Sequence, residues 1–298
     1  SHWHPLFVAA ACRSVNLCNH IIQKSGVTHP RLPYRRKNGG ATITPLVFAA
    51  KNVEDVNVFK FLLELAEDKN PYLRQDRKWT LLHDLAAKGR LELCRLIVNK
   101  VEDKSSQDCE GHTPFHFAAA EGHVEVCKIL MEDLMDKNPK DHQDRTPLHF
   151  AIMNGDVELC QHLVKYITDR NPQDANGQTP LHMAASRGHV ELCQILVENL
   201  MDKNLMNHSG WTPFDQAAYS GNLELCRLFM ENIVDKNHFD DEVRRPLHIA
   251  AKNGNLEIVR LFMDNIMDKK LQKNALSRIM DKNLMDHSGQ TPFDIAAD

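Results

Sequence analysis

The feature that most constrains this chain is a spacing. Cys94, Cys127, Cys160, Cys193 and Cys226 follow one another at intervals of 33 residues, and Val259 continues the column. Thr113-Pro114, Thr146-Pro147, Thr179-Pro180 and Thr212-Pro213 keep the same step, with Thr80-Leu81 and Arg245-Pro246 in the flanking slots. A fixed period of about 20–50 residues means repeated supersecondary units that bury themselves against their neighbours. That outranks the prior of about two globular domains for a chain of 298 residues.

One unit, beginning at Thr146, shows the logic. Thr146 suits an N-cap, and Pro147 suits the first helical position, where the missing N–H would be unpaired anyway. Leu148, Ala151 and Ile152 at i, i+3, i+4 give a short helix one apolar face. Gly155 breaks the chain in a left-handed conformation. A second helix begins near Val157, with Cys160, Leu163, Val164 and Ile167 as its apolar stripe. The polar stretch from Asp169 to Gln178, which holds a Pro and a Gly, closes the unit as an extended turn. Helices this short are marginal alone. Stacking must supply the core, and the pairs Ala118-Ala119, Ala184-Ala185, Ala217-Ala218 and Ala250-Ala251 let helices approach closely.

The run Thr179-Pro180-Leu181-His182-Met183-Ala184-Ala185, followed by Gly188-His189, resembles the ankyrin repeat. Thr113-Pro114-Phe115-His116 with Gly122-His123 is nearly as close, and copies in phase cover almost the whole chain. The resemblance implies an all-α solenoid of stacked helix-turn-helix units with projecting β-hairpin or loop fingers, curved with a concave groove. It implies protein binding, without catalysis by the repeats. It also implies that His83, His116, His149, His182 and His248 are structural, each hydrogen-bonding backbone near the next finger. On this reading residues 1–298 form one elongated domain, with units at 4–43, 44–79, 80–112, 113–145, 146–178, 179–211, 212–244 and 245–290 and a partial unit at 291–298.

Departures from the pattern carry their own expectations. The first unit has Phe7 for the motif His and Arg13 for Gly; the second has Val47 for His and an extra residue near Val53. Their helix turns are expected to be irregular. The first finger is long and carries Arg31, Arg35, Arg36 and Lys37. Near Lys270–Met280 the text Ile266-Met267-Asp268-Lys269 recurs as Ile279-Met280-Asp281-Lys282, either an insertion or a ninth repeat that has lost its middle. Where the family ends its second helix with Gly, this chain has Val101, Leu134, Ile167, Leu200, Ile233 and Ile266. The outer helix is therefore expected to run longer, into ends such as Asp202-Lys203-Asn204. The resemblance also makes Asn138, Asn171, Asn204 and Asn237 candidates for an asparaginyl hydroxylase, against the plainer role of shaping a loop. Ser1-His2 reads as an expression scar, and a stop at Asp298 inside a first helix reads as a fragment of a longer protein.

Charge and chemistry narrow the function. A formal net charge of −4 is not the footprint of a nucleic-acid binder. No apolar run approaches the ~18–20 residues of a membrane span. Helices pack about 8–10 Å apart, whereas a disulfide needs Cα atoms within ~7 Å and zinc needs sulfur ligands at ~2.3 Å. One column of cysteines meets neither condition, so the thiols read as small buried hydrophobes. Cys18 joins that column, with Phe59 in the second unit's place, while Cys12 and Cys109 fall on turns. Eight unpaired thiols suit a reducing compartment, so an intracellular site is expected, cytoplasmic or nuclear. His162, in a column of Leu and Ile, reads as a partly buried, satisfied side chain. No phosphate loop, dinucleotide fingerprint, Gly-x-Ser-x-Gly or His-Glu-x-x-His occurs. Neither an enzyme nor a cofactor or metal site is expected.

The positions left free by the period are the candidate binding residues. Before each Thr, or before the Arg245 that fills its slot, stand Trp79, His112, Arg145, Gln178, Trp211 and Arg244. Before each helix-breaking Gly stand Lys88, Glu121, Met153-Asn154, Arg187, Tyr219 and Lys252. Trp, Tyr and Arg are over-represented among binding hot spots. Charge in these columns is mixed, with Lys88, Arg145, Arg187, Arg244 and Lys252 against Glu121, Asp215 and Asp241. That suits a protein or peptide partner, held by a chain that is a monomer as isolated. The alternative is a regulatory or sensory segment of a larger protein, such as an ion channel or signalling enzyme.

Overall fold

A computed structural model of the chain describes residues 9–25, 34–35, 42–52, 56–233 and 239–268. It runs α1 (Val15–Ser25), β1 (Tyr34–Arg35), β2 (Thr42–Ile43), α2 (Pro45–Asn52), α3 (Val56–Leu65), β3 (Tyr72–Arg74), β4 (Trp79–Thr80), α4 (Leu81–Ala87), α5 (Leu91–Val98), α6 (Pro114–Ala120), α7 (Val124–Asp133), α8 (Pro147–Asn154) and α9 (Val157–Tyr166). It continues with α10 (Pro180–Arg187), α11 (Val190–Asn199), α12 (Pro213–Ser220), α13 (Leu223–Asn232), α14 (Phe239–Lys252) and α15 (Leu256–Asp268). Contacts divide it into two units, residues 1–159 with 166–168 and residues 160–165 with 169–298. In the first, the inner helices α4, α6 and α8 pack in series, and so do the outer helices α3, α5 and α7. In the second, α10, α12 and α14 form the inner series and α11, α13 and α15 the outer one.

The alanine pairs do what their size suggests. Ala118, Ala119, Ala184, Ala185, Ala217 and Ala218 are fully buried, so helix backbones meet without large side chains between them. Behind them lies the cysteine column. Cys18, Cys94, Cys127, Cys160, Cys193 and Cys226 are fully buried, with Phe59 in the second repeat's place; Val259 is half-buried. Burial pushes the thiols of Cys94, Cys193 and Cys226 up to about 12, and that of Cys127 further up. None of the eight is in a disulfide, and of them Cys12 and Cys109 are exposed.

The left-handed break is present at Gly89 (φ 64°), Gly122 (72°), Gly155 (80°), Gly188 (75°), Gly221 (76°) and Gly254 (70°). It serves close approach as well as the turn. A Cβ on Gly89 would sit 2.7 Å from the ring of His123, whose Nε2 lies 3.2 Å from the Ala87 carbonyl. Asn255 repeats that seam by donating from Nδ2 to the Ala218 carbonyl at 2.8 Å. Contrary to the expected irregularity, the first repeat keeps the break: Arg13 adopts φ 56°, and Arg13 N and Ser14 N donate to Ala10 and Ala9 as Gly89 N and Arg90 N do to Ala86 and Leu85. An arginine bears the backbone strain that glycine avoids.

The outer-helix ends also differ from expectation. α7, α9, α11 and α13 stop at Asp133, Tyr166, Asn199 and Asn232, before the apolar residue rather than beyond it. Leu134 (ψ 129°) and Leu200 (ψ 138°) turn extended and bury their side chains, as Ile167 does. Burying a leucine or isoleucine is worth about 1.5–3 kcal/mol, more than one further helical residue returns. Last-turn asparagines fold back on their own helix: Asn199 and Asn232 donate from Nδ2 to the carbonyls of Ile195 and Leu228 at 2.8 and 2.9 Å. Only α15 runs on, through Ile266 to Asp268. The Asp-Lys-Asn stretch is a turn, in which Asp136, Asp169 and Asp202 accept from the backbone N–H of Asn138, Asn171 and Asn204.

Phe7, Arg31, Arg36, Lys37, Val53, Asn237, the repeated text after Lys269 and the partial unit at 291–298 lie outside the described residues. With a thiol reagent on the native protein, Cys12 and Cys109 should be modified quickly, and the six column thiols only at the rate of unfolding. Mass spectrometry of digested samples reads this directly, and all eight should react once the chain is denatured without reductant.

Candidate partner-binding surface

The finger bases are held by histidines. Thr80 donates its backbone N–H to Nδ1 of His83 at 3.2 Å. Nδ1 is therefore the bare nitrogen, and Nε2 carries the proton that goes to the carbonyl of His112, 3.0 Å away in the next repeat. Thr113 and His116 repeat this toward Arg145 at 3.0 and 3.1 Å, and Thr179 and His182 toward Trp211 at 3.3 and 2.8 Å. One rigid ring thus caps its own helix and fixes the backbone of the next finger base. Burial, outweighing the bond to Arg145, lowers the pKa of His116 to about 4; burial lowers His83 and His182 as well. The ring works as a neutral group, since a proton on Nδ1 would face a backbone N–H.

Four fingers are closed by one acceptor each. Asp108 Oδ1 takes the N–H groups of Glu110 and His112, Asp141 those of Gln143 and Arg145, Asp174 those of Asn176 and Gln178, and Asn207 those of Ser209 and Trp211. Such Asx turns need no strand pairing. The β-hairpins among the described residues are β1–β2 and β3–β4.

The Thr212 repeat departs from the histidine rule. Asp215 fills the place and still accepts from Thr212 N at 2.9 Å, but a carboxylate has no proton for the next repeat. Arg245 stands where that repeat would have its threonine. Its Nε lies 3.5 Å from Asp215 Oδ2, and its Nη1 donates to the Gly210 carbonyl. Burial raises the Asp215 pKa, with Thr212 and Arg245 opposing. Here an ion pair replaces the neutral link.

Several candidates prove to be structural. His112 is buried, with Nδ1 3.5 Å from Asp108 and Nε2 3.2 Å from Asp141, edge-on to Phe117 and Phe150 at 5.3 and 5.5 Å. It belongs to the finger network and presents no binding face. Arg145 is half-buried, bound through Nε and Nη2 to Asp141 at 2.8 Å and set over the Phe150 ring at 4.7 Å. Burial opposes the charge of Asp141, but the bonds from Arg145 and Gln143 hold its carboxyl below the usual value. Trp79 is half-buried, edge-on to Phe117 at 4.5 Å. Gln178 is half-buried and accepts from Gln216. Arg244 lies inside α14, which begins at Phe239 and carries Pro246 in its interior, and not on a turn leading into it.

The inner-helix ends are more open. Lys88, Glu121, Met153, Asn154, Arg187, Tyr219 and Lys252 are exposed. Lys88 is paired with Asp84 at 2.8 Å. Tyr219 is 59 % exposed and meets Trp211 edge-on at 5.4 Å. The expected mixture of charge is therefore thinner than the sequence count. Asp215 is 1 % exposed, and Lys88 and Arg145 are neutralised by neighbours. A further column went unread: Asp84, Phe117, Phe150, Met183, Gln216 and Ile249 are all half-buried one turn before the helix end. Its signal is the variable place after the motif His, which shares a face with positions three and four residues on.

Comparison with known families gives the class. The model described as "Ankyrin repeats (3 copies)" matches residues 46–141, 82–174 and 148–240, and that described as "Ankyrin repeat" matches 244–269. The chain belongs to the ankyrin-repeat family, a non-enzymatic interaction fold whose members bind other proteins. The helix pairs packed in series are its solenoid. No individual curated protein matches the chain. No helix among the described residues is long and apolar enough to cross a membrane.

The neutral histidine links make stability depend on pH. With folded pKa values depressed, the unfolded chain binds more protons below about 6.5, so the contribution is complete above that pH and lost as pH falls toward about 4 for His116. Each such histidine should add a slope approaching about 1.4 kcal/mol per pH unit in that window. Asp215, whose pKa is raised, acts in the opposite sense. Comparing urea denaturation of the wild type with His116→Gln from pH 7 to pH 5 isolates the histidine. The variant should be flatter by about one such slope.

Proposed function

We propose that this chain is a non-catalytic scaffold that holds a protein or peptide partner on its inner face, the surface made by inner-helix ends and finger bases within each unit. The observation that carries the reading is how the side chains are divided. Thr, His, Ala, Cys and the turn acids are spent on the helices and the links between repeats, while the exits of the inner helices show solvent side chains of several kinds: Lys51, Lys88, Glu121, Met153, Arg187, Tyr219 and Lys252. A rigid backbone carrying variable exposed groups suits recognition, because little ordering is left to be done on binding. Tyr219, braced by Trp211, has the character of an interface anchor. Free thiols with raised pKa values suit a reducing, intracellular setting, and the net charge of −4 does not favour nucleic acid. The scaffold acts as a monomer.

Photocrosslinking tests the face. p-Benzoylphenylalanine replaces Tyr219 or Met153 on the inner face, or Tyr166 or Met201 on outer-helix ends, and the chain is irradiated in lysate. Partner adducts should form from positions 219 or 153 and be absent from 166 and 201. Adducts confined to the latter pair would refute the assignment.

A further inference from the structure

The two units do not leave the same charge on their inner faces. In the first, Lys51 is exposed at the end of α2 and Glu121 at that of α6, while Lys88 is paired with Asp84 and Arg145 with Asp141. In the second, Arg187 and Lys252 are exposed on α10 and α14, and the Arg245 side chain is 46 % exposed although it also meets Asp215. The one acid on α10 or α12 is Asp215, at 1 % exposure. The unit's described exposed carboxylates, Asp169, Glu191, Glu198, Asp202, Glu224, Glu231, Glu257 and Asp264, lie on or just after the outer helices. Asp240, Asp241 and Glu242 stand in the first turn of α14, about 15–18 Å along the axis from Lys252. Between the cations lies the exposed Tyr219, against Trp211. A basic residue at a helix end also answers the helix dipole, yet α8 and α12 end without one.

We infer that the inner face of the second unit, at Arg187, Tyr219 and Lys252, takes an acidic peptide segment of a partner protein, with carboxylates flanking an apolar or aromatic residue. This rests on the interaction reading above and gives it a chemistry. α10, α12 and α14 pack in series, and neighbouring helices lie about 8–10 Å apart. Their ends therefore span about 20 Å, which an extended chain covers in about six residues. One carboxylate meets Arg187, a second meets Lys252, and the side chain between them lies on the Tyr219–Trp211 pair. Nucleic acid fits less well, since so few cations neutralise few phosphates.

A random dodecapeptide display library, selected on the full chain at about 0.15 M salt, tests this. The selected peptides should be rich in Asp and Glu around a central apolar residue. The double reversal Arg187→Glu/Lys252→Glu should weaken them by about tenfold or more, from about 1 kcal/mol per exposed pair. Unchanged thermal melting of that variant establishes that it is folded. Lys88→Glu in the first unit should leave binding as it was. Peptides without acidic enrichment, or acidic peptides indifferent to the reversal, overturn the inference; if they still crosslink to position 219, the interaction reading survives alone. A library that yields no binder sinks both. Single-stranded DNA that binds more tightly than the acidic peptides, and is lost on the same reversal, overturns the choice of partner.

Discussion

Everything in this molecule hangs on a hydrogen bond made by an uncharged imidazole. A short helix cannot stand alone, and a turn of five residues cannot position itself. The ring of His83, His116 or His182 meets both needs by accepting from its own helix's N-cap backbone and donating to a carbonyl 29 residues on. Few side chains have an acceptor and a donor at fixed separation on one rigid plane. The interior that keeps the ring neutral also keeps the thiols behind it inert. Asp215 shows what the link requires by lacking part of it. A carboxylate caps, but the junction then needs an outside cation, and Arg245 supplies it at the cost of the next repeat's threonine cap.

The fold was legible because its determinants are periodic. Every residue that the 33-residue step placed in the core of a described repeat is buried or half-buried, from the alanine pairs to the cysteine column. What a period does not encode is competition at a single position. Leucine after the outer helix can extend the helix or fill the core, and spacing alone does not say which; burial wins at Leu134 and Leu200. Arg13 looked like a lost turn, yet the surrounding bonds impose the left-handed conformation whatever the side chain.

The candidate surface was less legible, for a related reason. The sequence shows which positions the motif leaves free, but not which of them the neighbouring repeat claims. His112 and Arg145 have the residue types of a binding site, and both are engaged by Asp141, supplied by a finger turn. Two acids at turn positions, Asp108 and Asp141, do local work through one oxygen and offer the other across the finger. Period-based reading sees a turn former there and misses the second oxygen.

Recognition on such a scaffold is therefore a matter of remainder. The surface open to a partner is whatever charge and apolar area the repeat-to-repeat links leave unmatched, and that differs between the units although the motif does not. Where a cation has an acid of its own, as at Lys88 and Arg145, binding there must rely on rings such as Trp79 and Phe117, half-buried and packed on each other. Where the only acid on α10 and α12 is buried, as at Asp215, cations are left over. A surface pair of charges is worth little by itself, so free cations decide orientation and selectivity more than strength. The strength has to come from area the fold holds rigid. Tyr219 qualifies because its ring is already braced on Trp211 and has little freedom to lose. The same rigidity that the histidine links impose on the backbone is what makes so small an exposed set sufficient.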